Sequence, residues 1–240
     1  MNIKTLDSTE LFETQAVRLF RTLEFQVLSG RLQPGKRLVR RVIAKSHSVS
    51  QATVAEALWR LETEGLAESA PMYGTRVAQI TMDRVKDEMV MREALECEVA
   101  RLAAKNIKSS DVPRLKEMAD QVDTLLRSAG TYSPKDMEVH QEFHISLARL
   151  TQSRLLLREL ERVWRRHFMF FSWVSESVWP SPIHWHRSLL DAIATQDPDV
   201  AERSMREHVL YGSNHQMEVL EKIEKDKEEI LRLEADKESE

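Results

Sequence analysis

The amino-acid sequence predicts a mainly α-helical protein with two domains. The N-terminal domain combines helices with a small β-hairpin, and the C-terminal domain is an all-α antiparallel helical bundle. Three observations support this fold class. Gly (6) and Pro (7) are scarce in the 240 residues, which favours long helices. Apolar residues recur at helical spacing through most of the chain, and strand-like runs occur only within residues 66–79.

Charge is distributed unevenly between the two predicted domains. Residues 1–79 contain 11 Lys and Arg against 8 Asp and Glu, whereas the remaining residues contain 24 against 31. A basic N-terminal domain followed by an acidic C-terminal domain indicates that only the N-terminal domain binds a polyanion. Cys97, the single cysteine, lies in a helical pattern and is expected to be a core residue. No apolar run is long enough to span a membrane, so we expect a cytoplasmic protein.

The first domain is predicted to start with a long helix and a short one. Helical apolar spacing covers residues 9–29, and Gly30, Pro34 and Gly35 break it. A shorter helical pattern follows over residues 38–46.

A third helix and a hairpin complete this domain. Ser50 is a suitable N-cap, and apolar residues follow it at i, i+3, i+4 and i+7. These residues are Val54, Ala57, Leu58 and Leu61. Gly65 occupies the position where the helix would end. The strand-like runs 66–70 and 75–79 are joined by Pro71-Met72-Tyr73-Gly74, which predicts a hairpin.

This order of elements is that of a winged helix-turn-helix. Such a domain binds DNA because the second helix of the pair fits the major groove, while the wing reaches the backbone or the minor groove. The exposed face of the third helix is predicted to carry Gln51, Ala52, Thr53, Ala55, Glu56, Trp59 and Arg60. A protein–protein interaction module is the alternative that the pattern alone leaves open.

The run from Ala16 to Ile80 resembles the DNA-binding domain of GntR-family regulators. Three stretches carry the resemblance, namely LSGRLQPGKRL, VSQATVAEALWRLETEGL and PMYGTRV. The resemblance implies a double-stranded DNA operator as partner. Members of that family usually have arginines where this chain has Gln51 and Ala55. Because Arg is the commonest partner of guanine, we expect an operator sequence of its own.

Nine residues are candidates for contacts with DNA. We expect Gln51 to read a base, and Ser50 and Thr53 to hold phosphates. Arg60 lies on the same helix and can also read a base edge. The other candidates supply positive charge. They are Lys36, Arg37, Arg40, Arg41 and Arg76.

Helical patterns fill the chain from Thr81 onward. They cover residues 81–106, 110–129, 134–151, 153–177, 182–195 and 198 to beyond 216, with breaks that include Gly130 and Pro180-Ser181-Pro182. Residues 84–105, EFHISLARL and WHRSLLDAIATQDPDVAERSMREH resemble the ligand-sensing (FCD) domain of the FadR subgroup of the GntR family. The predicted domains are therefore 1–79, 80–216 and a charged helical tail, 217–240, which is either solvated or part of a dimer contact.

Histidine placement indicates the chemistry of the second domain. His140 and His144 are four residues apart on one predicted helix, so both rings project from one face and can share one ion. His186 and His208 lie on two later helices, in the spacing of the subgroup's metal-binding pattern. The resemblance implies that these four residues bind a divalent metal, with His140 where the subgroup usually has Asp.

Four imidazoles without a carboxylate form a neutral ligand set. Such a set favours zinc, or nickel, over magnesium and calcium. Asp136, one turn before His140, or Glu142 could restore an anion, although neither matches the motif position.

A metal of this kind leaves coordination positions that a small organic or sugar acid can fill. Arg92 matches a position of the subgroup's first sensing helix where arginine often faces the pocket, and it could clamp a carboxylate. A solvated helix charge is the alternative for Arg92. Arg165, on the central helix, is the second candidate for an effector contact.

Together these features predict a ligand-responsive transcriptional regulator rather than an enzyme. It would bind a pseudo-palindromic operator as a homodimer, with one recognition helix per half-site. A metal-responsive regulator is the first alternative. A metalloenzyme is the second, and it lacks a motif for a positioned general base.

Overall fold

The computed structural model describes residues 13–128, 134–173 and 182–238. Contacts divide the chain into two compact units, one that ends at Gln79 and one that begins at Ile80. The predicted fold class is confirmed, because the described residues are mainly helical and include a two-stranded antiparallel sheet. The start of the predicted first helix at 9–12, the predicted breaks at 130 and 180–181, and residues 239–240 of the tail lie outside the described residues.

The first unit contains a three-helix core and a hairpin. Its elements are α1 (Gln15–Leu28), α2 (Arg40–His47), α3 (Gln51–Thr63), β1 (Ala67–Ala70) and β2 (Gly74–Val77). α1 begins at Gln15 because the Thr14 side chain accepts a hydrogen bond from the backbone N–H of Val17 and so caps the helix. Phe25, expected on the apolar face of α1, is instead exposed, with the Arg31 guanidinium 5.2 Å from its ring centre.

A tight corner joins α2 to α3. Ser48 ends α2 in the left-handed conformation (φ 53°), and the Ser50 side chain caps α3 two residues later. Gly65, also at positive φ (73°), follows the end of α3 and lets the chain turn into β1. The predicted inward face of α3 is confirmed. Its buried residues are Val54, Ala57, Leu58 and Leu61.

The hairpin is extended by the segment before α2. Strands β1 and β2 pair antiparallel, with Glu68 opposite Arg76. On the other edge of β2, the Leu38 N–H donates to the Thr75 carbonyl at 2.8 Å, and the Val77 N–H donates to the Lys36 carbonyl at 2.9 Å. The wing is therefore tied to the chain that leads into the helix-turn-helix.

All the regular secondary structure of the second unit, over its described residues, is helical. Its helices are α4 (Met82–Asn106), α5 (Val112–Ser128), α6 (Pro134–Leu150), α7 (Arg154–Trp173), α8 (Trp185–Ala194) and α9 (Pro198–Glu238). α4 contacts α6, α7 and α9, and α8 contacts α5 and α9. Cys97 is buried on α4 as expected, and burial raises the pKa of its thiol to about 11.

The predicted tail continues α9 without a break as far as Glu238. Its first turns belong to the core, because Leu220 is buried against Val85 and Phe170. None of the helices in the described ranges combines the length and apolarity that a membrane span requires.

Candidate functional site

The N-terminus of α3 presents the predicted DNA-reading residues. Ser50 Oγ accepts a hydrogen bond from the Thr53 backbone N–H at 3.0 Å and lies 2.9 Å from Thr53 Oγ1. The two hydroxyls expected to hold phosphates therefore contact each other at the start of the helix. Gln51 is exposed beside them, and Trp59 is 62% exposed two turns further along. The predicted reading face therefore carries the exposed amide of Gln51 and the exposed indole of Trp59.

The predicted basic residues of the first unit fall into two groups. Lys36, Arg37, Arg40 and Arg41 are exposed, and Arg37 pairs with Arg76 through the backbone at the edge of the wing. Arg76 also lies 2.8 Å from Glu68 across the hairpin. The remaining candidate, Arg60, lies 3.0 Å from Glu56 on α3. Exposed ion pairs of this kind contribute about 0–1 kcal/mol, so a phosphate can compete for both arginines.

The four histidines singled out from the sequence converge in the second unit. His140 and His144 lie on α6, His186 on α8 and His208 on α9. Each offers one ring nitrogen, and these nitrogens all lie within 4.8 Å of one another. All four side chains are buried. The structure thus brings the predicted metal ligands together.

Several nitrogens of this cluster have no hydrogen-bond partner in the described part of the chain. They are both ring nitrogens of His144 and of His208, although Nδ1 of His144 lies 2.5 Å from Glu96 Oε2. Nε2 of His140 and Nε2 of His186 lie 2.8 Å apart. A buried polar atom without a partner costs about 1–3 kcal/mol. Converging nitrogen lone pairs are what a divalent ion requires, so these residues fit a metal.

Burial keeps the rings in the form that binds metal. Desolvation, together with the neighbouring imidazoles, holds the pKa of His140 and of His208 well below the usual value. Desolvation also lowers the pKa of His186 to about 4, although the hydrogen bond to Asp123 opposes the shift. These three imidazoles are therefore neutral at pH 7, and neutral imidazole is the metal-binding state.

Two buried carboxylates contact the cluster from outside. On α4, Glu96 Oε2 lies 2.5 Å from His144 Nδ1, and on α5, Asp123 Oδ1 lies 2.9 Å from His186 Nδ1. Burial would raise the pKa of Glu96, but His144 and Arg92 lower it to about 2. Burial would also raise the pKa of Asp123, but the hydrogen bonds from His186 outweigh burial and leave this pKa lowered. Both groups are therefore anions.

These two residues replace the carboxylates that the sequence suggested. Glu142 is exposed and pairs with Arg149, and Asp136 is only half-buried in the first turn of α6. The suggestion that either restores the anion is not supported by their positions. The sequence does hold a signal for Glu96, because it follows Arg92 by four residues on a helix. Asp123 has no comparable local signal.

Arg92 is buried and already paired. Its Nε donates to Glu96 Oε1 at 2.6 Å, its terminal nitrogen lies 3.0 Å from His167 Nε2, and its guanidinium lies 4.8 Å from the Trp164 ring centre. A small cavity beside it has a volume of about 10 Å³, which is room for one water molecule. Arg165 is half-buried on α7 and is not among the residues that line this cavity.

Comparison with known proteins identifies both units. Residues 15–77 match the family model described as "Bacterial regulatory proteins, gntR family", and residues 87–210 match the FCD domain model. The chain belongs to the GntR family. The FCD match includes all four clustered histidines, and the GntR match includes α1 to β2.

Curated GntR-type relatives cover most of the chain. The HTH-type transcriptional repressor RspR of Escherichia coli K12 is 29% identical over 84% of this chain and 89% of its own length. A protein of Paenarthrobacter nicotinovorans, named as the probable D-xylose utilization operon transcriptional repressor, is 30% identical over 77% and 80%. The chain is thus a transcriptional regulator, and the prediction that it is not an enzyme is confirmed by these names and family matches.

Solved structures support the fold. E. coli McbR/YncC superposes with a TM-score of 0.70 at 20% identity, over 86% of this chain and 99% of that one. A GntR regulator from Rhodococcus sp. RHA1 gives 0.67 at 19% identity, over 85% and 98%. Assignment to the FadR subgroup in particular remains a prediction.

Proposed function

We propose that this GntR-family chain is an operator-binding repressor whose FCD domain holds a divalent transition metal at His140, His144, His186 and His208. One observation supports the metal most strongly: four buried imidazoles from three helices offer nitrogens within 4.8 Å of one another. Buried polar atoms are normally hydrogen-bonded, and an ion would satisfy one of the unpartnered ring nitrogens of His144 and one of those of His208.

Zinc is the metal that the site suits best, with nickel as the second choice. Neutral nitrogen donors favour borderline ions, whereas magnesium and calcium require oxygen ligands. When bound, the ion would crosslink α6, α8 and α9, the three helices that supply the histidines. The histidines hold it, and Glu96 and Asp123 lie outside them.

The first unit is the proposed DNA-binding part. α3 would lie in the major groove with Gln51 towards the bases, and the exposed cations Lys36, Arg37, Arg40 and Arg41 would contact phosphates. A homodimer would present one α3 to each half-site of a pseudo-palindromic operator. A regulator that binds operator DNA in this way would work in the cytoplasm.

The metal itself is the signal that the geometry favours. Arg92 already contacts Glu96 and His167, and the cavity beside it holds about one water molecule. A small organic or sugar acid is the second candidate, favoured by the presence of a buried guanidinium so near the histidines. To bind there, the acid's carboxylate would have to replace Glu96 or His167 on Arg92.

Operator binding by the full chain tests both candidates. The operator is first selected from random DNA, and its affinity is then measured for metal-stripped protein, for protein with Zn²⁺, Ni²⁺ or Mg²⁺, and for each form with a panel of small acids. A change in affinity with Zn²⁺ or Ni²⁺ alone supports metal sensing. A change that needs an acid as well supports the second candidate. Equal metal content in purified wild type, His144→Ala and His186→Ala would overturn the metal site.

A further inference from the structure

We propose that Glu96 and Asp123 are the positioning residues of the metal site: each holds Nδ1 of one histidine, so that His144 and His186 present Nε2 to the ion. This inference rests on the proposed function, because it concerns how the metal is held. The four imidazoles contribute no negative charge. Under this proposal the negative charge comes from Glu96 on α4 and Asp123 on α5, which are not themselves metal ligands.

Asp123 makes the more completely defined of the two contacts. Its Oδ1 accepts hydrogen bonds from the His186 ring at Nδ1 and from the His186 backbone N–H, both at 2.9 Å. Its Oδ2 accepts the Arg187 backbone N–H at 3.1 Å. Three donors leave the carboxylate little freedom, and the ring that they orient has its Nε2 2.8 Å from His140 Nε2, inside the cluster.

Glu96, on α4, contacts His144 by proximity alone, because neither Glu96 Oε2 nor His144 Nδ1 has an aligned hydrogen bond among the described residues. One carboxylate oxygen lies 2.5 Å from His144 Nδ1, and the other accepts the Arg92 Nε–H at 2.6 Å. The far nitrogen of the same ring, His144 Nε2, is buried without a hydrogen-bond partner among the described residues. A ring anchored at Nδ1 by an anion has its lone pair at Nε2.

Both contacts have the chemistry of a carboxylate–histidine–metal arrangement. A carboxylate that accepts the distal N–H fixes the tautomer, orients the ring and makes the coordinating nitrogen more basic. Glu96 and Asp123 have side-chain exposures of only 1% and 2%, so water does not replace them in this role. Two carboxylates beside the histidines also offset the double charge of a bound ion, to which imidazole ligands bring no negative charge.

Affinity for Zn²⁺ in the full chain tests the proposal. Loss of such a carboxylate typically costs 10- to 100-fold in metal affinity, so Glu96→Gln and Asp123→Asn are each expected to weaken Zn²⁺ binding by roughly that factor in competition with a chelator. The matched controls are Glu98→Gln and Asp120→Asn, which change carboxylates on the same helices that are exposed and paired with arginines. The controls should bind as wild type does.

A second measurement needs no variant. Nitrogen-15 spectra of histidine rings in the Zn²⁺-loaded wild type show which nitrogen binds the ion, and we expect Nε2 for both His144 and His186. Coordination through Nδ1 of either ring, or unchanged affinity in both carboxylate variants, would overturn the inference while the metal site stands. Absence of Zn²⁺ binding in the wild type would instead overturn the proposed function.

Discussion

In the first unit, the candidate DNA contacts Lys36, Arg37, Arg40 and Arg41 are exposed, whereas the candidate metal ligands of the second unit are buried among aromatic rings and carboxylates. The exposed set could lose one member and keep the others, because each would contact its own phosphate. The buried set would act as a unit, because all four rings would bind the same ion. Single substitutions should therefore have graded effects on DNA affinity in the first unit and all-or-none effects on metal binding in the second.

The largest effect is expected from removing one ligand of the cluster. Zn²⁺ at one hundred times its dissociation constant should stabilise the wild type by about 2.7 kcal/mol, and His208→Ala should lose this gain. Hydrogen exchange should show the protection on α6, α8 and α9 rather than on α1 to α3. His215→Ala, which changes a histidine of the same helix outside the cluster, should keep the gain. Equal protection of both units by Zn²⁺ would show that the metal effect is not confined to the second unit.

A smaller effect is expected from two exposed arginines of the first unit. Replacing both Arg40 and Arg41 with Ala should reduce the slope of log affinity against log salt concentration by about 2, which is roughly fiftyfold in operator affinity at 0.1 M salt. Arg76→Ala should change the slope less, because Arg76 is also engaged with Glu68. A double variant that keeps the wild-type slope would exclude these arginines as phosphate contacts.

Gln51→Ala should change which sequence is bound more than how tightly DNA is bound. Losing one bidentate base contact costs about 1–3 kcal/mol of discrimination at a single base pair. Selection from random DNA with the wild type and the variant measures this directly. Identical preferred sequences would show that Gln51 reads no base and that another exposed residue of α3, such as Trp59, deserves the same test.

The smallest effect is expected from the cap of α3. Ser50→Ala removes the hydrogen bond to the Thr53 N–H and should destabilise the first unit by about 1 kcal/mol. Ser50→Asp, which restores a capping oxygen, should recover that stability in denaturant unfolding. It should still bind DNA poorly, since a carboxylate repels phosphate. If Ser50→Asp binds DNA as the wild type does, Ser50 does not face a phosphate.

Local sequence patterns predicted the features of each unit that arise within a single helix. The inward face of α3 follows from i, i+3, i+4 and i+7 spacing, and the shared face of His140 and His144 follows from their separation by four. Partners on different helices were not predictable in this way. Asp123 and His186 are 63 residues apart in the sequence, and no local pattern around Asp123 indicates that its carboxylate is buried against a histidine.

Arg92 shows what a resemblance leaves open about the partners of a side chain. The resemblance implies a position near a sensing pocket, and the structure shows the guanidinium in contact with the Trp164 ring. Its pairing with Glu96 follows the i, i+4 spacing on α4, whereas its contact with His167 on α7 depends on packing between two helices, which no single-helix pattern reports. The small cavity beside it follows from the same packing.

An ion at the four histidines would control DNA binding by the first unit under the proposed function. The most direct test is the dissociation constant of the full chain for its selected operator, measured without metal and with saturating Zn²⁺, for wild type and His144→Ala. A coupling in the usual range predicts a change of roughly 5- to 150-fold in the wild type and none in the variant. Equal affinities for the wild type with and without Zn²⁺, or an undiminished response in His144→Ala, would contradict the claim.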